Sequence, residues 1–377
     1  MKQSQRVHYP SFAVGAALGL GVGTALGVGL LLARPSLEPS RAAATPSPTS
    51  SHAASTPSAT PTLTPAVSAR TGASAAFHPP SGKLVMFGGT TAFPVPQGSS
   101  FEPAQVSGET WTWDGRAWYQ EHPATSPPGR TGAGLVYDAG HTVLVLYGGS
   151  GPQGVANDTW TWDGTNWKQM SPVESPPAWY FATMTYDSTI NTVMLYAGAG
   201  WCRPMCNAPI NQTWKWDGTT WTQIRNAGDP NGFAVQNAAI AYHSASGHTF
   251  FVSQTGTWEL DTAWRRVSGG GTVLGSGTML FGPNLFALAD DTGRGVLLEL
   301  GTNSDTWAWD GKAWTALNPP AAPPVRVGEA MAYDSARKQV VLFGGAASSP
   351  SSTSLTGTWT LLSDTWVWDG RVWTRVA

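Results

Sequence analysis

Three arginines stand at equivalent places in the chain and are the side chains best suited to bind an anion. Arg70, Arg130 and Arg326 each precede a short apolar run, and Trp179 takes the same place before a further run. A guanidinium group binds a carboxylate or phosphate through two parallel hydrogen bonds. Three arginines around one opening would therefore form a site for an anionic group. The alternative is that each binds nearby backbone carbonyls and fastens parts of the fold together.

Aromatic residues in the long, irregular segments form a second set of binding candidates. Trp201, Trp359, Phe93 and Phe101 lie in such segments, and aromatic rings stack on sugars or anchor protein partners. Alternatively, these rings pack against their own segments. With the arginines, the ligand-binding candidates are Arg70, Arg130, Trp179, Trp201, Arg326 and Trp359.

The sequence contains no linear pattern for catalysis or for a metal. No nucleophile lies beside a base, and no carboxylate pair or metal-ligand cluster is recognisable, so we predict no catalytic residue, metal or cofactor. Carboxylates from separate repeats can still meet in the fold. Five aspartates that precede glycine suggest calcium at first sight, but Asp-Gly is a turn signal. These are Asp114, Asp163, Asp217, Asp310 and Asp369.

Two further features bound the chemistry. Cys202 and Cys206 have no histidine nearby, which makes zinc a weak interpretation; in an oxidising compartment we expect them to form a small local disulfide. The formal net charge is -2, so the chain lacks the basic surface that nucleic acid requires.

A repeated aromatic motif must position these residues. The stretch Thr-Trp-Thr-Trp-Asp-Gly at 110–115 is followed by Trp118; four related copies also carry three tryptophans, and a sixth, degenerate copy at 257–264 carries two. Of the 20 tryptophans, all but Trp179, Trp201 and Trp359 belong to these copies. The copies are residues 110–118, 159–167, 213–221, 257–264, 306–314 and 365–373.

Each motif completes a unit of four short strands, a to d. In residues 130–170 the apolar runs 132–137 and 142–147 predict strands a and b, and a hairpin with an Asp-Gly turn predicts strands c and d. A two-residue turn would place Trp160 opposite Trp167, and a four-residue turn would place Trp162 there. Six such units predict an all-β, six-bladed propeller of four-stranded antiparallel blades over residues 70–377, closed without an exchanged strand. Residues 268–283 have no clear place in it.

The repeat resembles the kelch repeat. An arginine precedes strand a, a double glycine ends strand b at Gly88-Gly89, Gly148-Gly149 and Gly344-Gly345, and spaced tryptophans follow. The amino-acid sequence of the repeat is similar to that of secreted bacterial kelch-like proteins of unassigned function. The likeness to the propeller of galactose oxidase implies a shared fold only, because its copper-site residues have no counterpart here.

The segment before the propeller predicts an anchor and a stalk. Residues 12–33 carry no charge and are long enough to cross a bilayer, so we interpret 1–11 as cytoplasmic and 12–33 as a transmembrane signal-anchor. The alternative is secretion after cleavage near Ala44. Residues 34–69, rich in Pro, Ser, Thr and Ala, predict a disordered stalk. The spacing of Gly15, Gly19, Gly23 and Gly27 would allow a helix dimer.

The lengths of the connections favour a function in binding. The a–b and c–d turns are short, whereas the b–c loops are long and variable, and an up-and-down blade places all the long loops on one face. We therefore expect a membrane-anchored, extracytoplasmic module that binds a protein or a cell-wall glycan through that face. The alternative is a secreted glycan hydrolase or oxidase whose site is assembled across blades.

Overall fold

The computed structural model describes a β-propeller. The residues that it describes are 66–93, 96–97, 100–101, 105–178, 182–197, 212–224, 238–253, 256–269, 287–301, 304–348 and 359–377. They form six four-stranded antiparallel sheets, each built from strands a, b, c and d in that order. The predicted architecture is confirmed.

The strand bounds follow the repeat. Blade 1 consists of Ser74–His78, Lys83–Phe87, Thr110–Trp113 and Trp118–Glu121, with a short 3-10 helix Pro79–Ser81 in its a–b turn. Blade 2 consists of Gly134–Asp138, Val143–Tyr147, Thr159–Trp162 and Trp167–Met170, and blade 3 of Thr183–Asp187, Thr192–Ala197, Gln212–Trp216 and Trp221–Gln223. Blade 4 consists of Ala238–His243, His248–Ser253, Gly256–Leu260 and Trp264–Gly269. Blade 5 consists of Leu288–Asp291, Val296–Leu300, Thr306–Trp309 and Trp314–Ala316, and blade 6 of Ala330–Asp334, Gln339–Phe343, Thr365–Trp368 and Trp373–Arg375.

Small two-stranded sheets extend three of the b–c loops. They pair Thr90–Ala92 with Gln105–Val106 and Pro96–Gln97 with Ser100–Phe101 in blade 1, Ser150–Gly151 with Gly154–Val155 in blade 2, and Ala346–Ser348 with Trp359–Leu361 in blade 6.

Several predictions fall outside the described residues. They concern the transmembrane segment 12–33, the stalk up to residue 65, the glycine-spaced dimer face, Trp179, Trp201, the pair Cys202 and Cys206, and most of 268–283. Within the described part of the chain, no helix is long and apolar enough to cross a membrane.

The hairpin between strands c and d has a four-residue turn. Trp162 lies opposite Trp167, which decides between the two registers that the sequence allowed. Asp163 fixes the turn, because its Oδ1 accepts the backbone N–H groups of Thr165 and Asn166 at 2.8 Å. Gly164 supplies the positive φ of 105°. Asp114, Asp217, Asp310 and Asp369 make the same pair of backbone bonds, so turn chemistry accounts for all five aspartates.

The last tryptophan of each motif joins one blade to the preceding blade. Its indole N–H donates to the hydroxyl of the first threonine in the neighbouring motif, at 2.9 to 3.0 Å in all six cases. The pairs are Trp118–Thr365, Trp167–Thr110, Trp221–Thr159, Trp264–Thr213, Trp314–Thr257 and Trp373–Thr306. The tryptophans and threonines of the motif therefore do more than pack between blades, because they also form a hydrogen bond at every joint of the ring.

The ring closes between blades 6 and 1 through contacts of the same kind. Trp118 of blade 1 donates to Thr365 of blade 6, and the backbone N–H of Arg70 donates to the Leu362 carbonyl at 3.0 Å. Buried Phe77 and Phe343 share one apolar cluster across this joint. Each sheet takes its four strands from one stretch of the chain, so the prediction of closure without an exchanged strand is confirmed.

Changing Thr159 to Val should destabilise the propeller. The substitution keeps the shape of the side chain and removes the acceptor for Trp221 Nε1, a buried donor. An unpaired buried donor costs about 1–3 kcal/mol, which denaturant unfolding of the variant would measure. Thr161→Val is the matched control in the same strand, since the Thr161 hydroxyl contacts only the weak acceptor Met170 Sδ at 3.7 Å. Equal losses in the two variants would contradict a role for the Trp–Thr bond.

Candidate functional site

The long loops gather at one end of the disc, as the connections predicted. The two-stranded extensions belong to blades 6, 1 and 2, which are consecutive around the ring because blade 6 meets blade 1. On the same face, a groove of about 270 Å³ lies at blade 2 between residues 128–130 and 151–158. We call this end of the disc the long-loop face.

The three candidate arginines are buried at the inner rim of the long-loop face. Arg326 donates to both carboxylate oxygens of Asp364, at 2.7 and 2.9 Å, and to the Gly344 carbonyl at 2.9 Å. Arg130 makes the same contacts with Asp158 and the Gly148 carbonyl. Arg70 pairs with Glu109 at 2.6 Å and binds the Gly88 carbonyl. Each guanidinium group thus joins the start of strand a to the end of strand b and the start of strand c in its own blade.

These contacts lower the pKa values of the three carboxylates. Burial acts to raise the pKa of Asp364, but the hydrogen bonds from Arg326 and Trp366, together with the Arg326 charge, outweigh it and hold the pKa below its ordinary value. The same balance lowers the pKa of Asp158 beside Arg130 and that of Glu109 beside Arg70.

The repeat supports a structural role for these pairs. In blade 3 the arginine position holds Trp179, and the position of the acid holds Gln212, which accepts the Trp214 indole N–H at 2.9 Å. In blade 3, therefore, neither position carries a charge, whereas blade 5 keeps an exposed aspartate, Asp305, at the position of the acid. The geometry of the described residues therefore favours the structural interpretation of the arginines, since each guanidinium group is already paired and buried.

Loop aromatics from two blades come together on the long-loop face. Phe93 of blade 1 and Trp359 and Leu361 of blade 6 belong to one apolar cluster with buried Val327 and Ala346. Trp359 and Phe93 remain only partly buried. Part of each ring therefore packs within the fold, and part is open to a partner. The side chain of Phe101 is not among those described.

Strand a of every blade lines a narrow central channel. At its long-loop end the backbone N–H of Gly132 donates to the Gly72 carbonyl at 2.9 Å, and that of Gly72 donates to the Gly328 carbonyl at 2.7 Å. The cavity beside this level has a volume of about 130 Å³ and walls made mainly of glycine and alanine. Gly134 illustrates the close packing, since a Cβ there would collide with Met184 of the next blade.

Two buried glutamates near the channel mouth were missed by the sequence analysis. Glu329 lines the cavity at the start of strand a in blade 6, and its Oε2 has no hydrogen-bond partner among the described residues. Glu299 lies near the end of strand b in blade 5 and is 0% exposed, and in the part of the chain that the structure describes neither of its carboxyl oxygens has a partner. Burial raises the pKa of Glu329 to about 7. Burial and the nearby Glu329 raise the pKa of Glu299 well above its usual range.

Comparison of the repeats with one another would have found both residues. The position of Glu329 is occupied by Ala73 in blade 1 and Ala133 in blade 2, each directly after the channel-mouth glycine. The position of Glu299 is occupied by apolar residues in the other five blades: Met86, Leu146, Leu195, Phe251 and Leu342.

Changing Asp364 to Asn should destabilise the fold strongly. Arg326 would remain buried without a countercharge, which costs about 3–5 kcal/mol in the free energy of unfolding. Because the folded-state pKa of Asp364 is lowered, the stabilisation is fully present above the unfolded value of about 4 and is lost as the pH falls below it.

Chemical denaturation at pH 7 and pH 3 measures both effects. Asp305→Asn, at the exposed equivalent position of blade 5, is the matched control and should change stability by less than about 0.5 kcal/mol. A variant D364N as stable as wild type at pH 7 would show that the arginine pairs do not hold the blades.

A search against protein-family models gives no match for this chain, and a search of curated proteins gives none either. The assignment of a function therefore rests on the geometry of the propeller and on the sequence around it.

Proposed function

We propose that this protein is a membrane-anchored, extracytoplasmic propeller of the kelch type that binds a protein or a cell-wall glycan through its long-loop face. The observation that carries this proposal is the one-sided distribution of the loops. Extensions on blades 6, 1 and 2 form one continuous arc, whereas the turns at the opposite end are short. Rigid scaffolds with variable loops at one end commonly bind through that end.

The chemistry of the long-loop face suits a neutral partner surface better than an anionic one. The three arginines are committed to Glu109, Asp158 and Asp364 inside the blades. What the described part of the face offers is the partly exposed ring of Trp359 beside Phe93, and the groove at blade 2. Aromatic rings of this kind stack on sugars and serve as anchors in protein interfaces.

The location is supported by the sequence before the propeller. The uncharged segment 12–33 has the length of a bilayer-spanning helix, and the Pro-, Ser- and Thr-rich segment that follows is typical of extracellular stalks. An anchor and a spacer would hold the disc away from the membrane, where a binding face is useful.

A hydrolase with a site assembled across blades is the second candidate, and one observation favours it. Glu329 is a carboxyl group with a strongly raised pKa beside a cavity, which is a common property of catalytic acids. The narrow channel argues against it for glycans, because the cavity of about 130 Å³ is too small to enclose a sugar chain.

Replacing Trp359 with Ala should weaken partner binding. Binding of the full-length protein would be screened with cell-envelope proteins by cross-linking and with a glycan array, and the variant's affinity for the partner found should fall about tenfold or more. Ile190→Ala is the matched control, because Ile190 is exposed in the short a–b turn of blade 3 on the opposite face. Unchanged affinity in W359A together with weaker binding in I190A would contradict the proposal, because the interface would then lie on the face opposite the long-loop face. Turnover of a glycan on the array would instead support the hydrolase.

Protease added to intact cells should remove the propeller from its anchor. Residues 34–65 would be the cleavage region, and a soluble disc should appear in the medium while a cytoplasmic marker stays intact. Immunoblotting of both fractions measures this. A propeller that is protected together with the cytoplasmic marker would contradict the extracytoplasmic location, and recovery of only a form beginning near Thr45 would indicate secretion.

A further inference from the structure

The two buried glutamates break the repeat at the same end of two neighbouring blades. Each stands where the other blades place an apolar residue, and a carboxyl group is costly to bury without a partner. Three of their four carboxyl oxygens have no hydrogen-bond partner within the described ranges of the chain. A departure from the repeat that lowers stability is expected where a site requires it.

Glu329 lies in the wall of the cavity at the channel mouth. Glu329 is only 6% exposed, and its unpartnered Oε2 belongs to a side chain in the wall of the 130 Å³ cavity. Ser74 and Thr183 also line this cavity, and their hydroxyl groups form hydrogen bonds between blades: Ser74 Oγ donates to the Ala133 carbonyl at 2.5 Å, and Thr183 Oγ1 accepts the backbone N–H of Ile240 at 2.9 Å. The rest of the wall consists largely of glycine and alanine, which leave room for an apolar stem.

The charges around Glu329 favour a cation. From its own blade, Arg326 forms an ion pair with Asp364, and its charge acts to lower the pKa of Glu329 and so favours the ionised carboxylate. From blade 5, Glu299 adds negative potential when it ionises, and from blade 1, Arg70 is paired with Glu109. No positive side chain of the described residues forms an ion pair with Glu329.

We propose that the channel mouth binds a primary ammonium group at the end of an unbranched chain, with Glu329 as its counterion. An ammonium group has three N–H donors, and the cavity wall offers Glu329 Oε2, which accepts from no group of the described residues, as the acceptor for one of them. Calcium or magnesium suits the site less well, because these ions take six or more oxygen ligands and the described residues assemble no group of three or more acidic or metal-binding side chains. The ammonium group would come from a free alkylamine or from a lysine side chain of a protein. This inference concerns the channel and stands apart from the partner proposed for the long-loop face.

Binding of n-butylamine to the full-length protein in detergent micelles tests the proposal. Isothermal titration at pH 8 should show binding, and the affinity should fall about tenfold at pH 6, because the pKa of about 7 leaves Glu329 largely protonated there. Nα-acetyl-lysine methylamide is the second probe: binding of that probe alone would point to a protein lysine, and binding of both would point to a free amine as well. n-Butanol, the neutral analogue, should not bind.

Glu329→Ala gives the decisive variant, because alanine is the residue that blades 1 and 2 carry there. Amine binding should be abolished, and the melting temperature at pH 8 without amine should rise, since an unpartnered buried carboxyl group has been removed. Glu299→Leu should likewise raise the melting temperature and weaken amine binding. Glu121→Gln, on the outer strand of blade 1, should leave both properties unchanged.

The proposal would be overturned by the absence of amine binding to the wild type at pH 8, or by amine binding that survives in E329A. A fall in the melting temperature of E329A would assign Glu329 to the scaffold. An equal response to potassium or calcium chloride without amine would make the site a metal site.

Discussion

The hydrogen bond between a tryptophan indole and a threonine hydroxyl of the adjacent blade is the interaction on which the disc depends. It occurs between all six pairs of neighbouring motifs, including the pair that joins the last blade to the first. Because the donor belongs to strand d and the acceptor to strand c, the bond fixes the outer strands of one blade against those of the next. The middle and third tryptophans of a motif then stack at 5.3 to 5.5 Å, which fills the space between the sheets.

The inner end of each blade is held in a different way, and this difference creates the site. Small residues let the six innermost strands approach one another, and glycine carbonyls accept hydrogen bonds across blades at the channel mouth. An architecture that needs small residues there has no structural use for a glutamate. The buried arginine pairs sit just outside this level and stiffen the rim without offering a free charge to solvent. The arginine pairs lie in blades 1, 2 and 6, while the two glutamates, Glu299 and Glu329, lie in blades 5 and 6.

Local patterns in the sequence predicted the fold because each blade is encoded in one continuous stretch. The Asp-Gly turns, the apolar strand b and the tryptophan spacing determine the blade, and only the register of Trp162 against Trp167 had to come from the structure. The role of the arginines was harder to predict from local patterns. The aspartate that pairs with Arg130 lies 28 residues away in the sequence, and the one that pairs with Arg326 lies 38 residues away. Glu329 was missed for another reason: it reads as an ordinary surface residue until the repeats are compared position by position. The aromatic candidates Trp179 and Trp201 belong to segments outside the described residues.

The place where the chain enters the disc has a mechanical consequence. Val67 is buried in the apolar cluster between blades 1 and 6, and the backbone of Arg70 exchanges hydrogen bonds with Leu362 and Gly345 of blade 6. The guanidinium group of the same arginine is bonded to Glu109 of blade 1. Among the described residues, a load applied through the amino-terminal segment is therefore divided between both sides of the seam at the first contact. The ring closes between blades 6 and 1 without an exchanged strand, and these contacts stabilise that joint against tension that would otherwise separate the two blades.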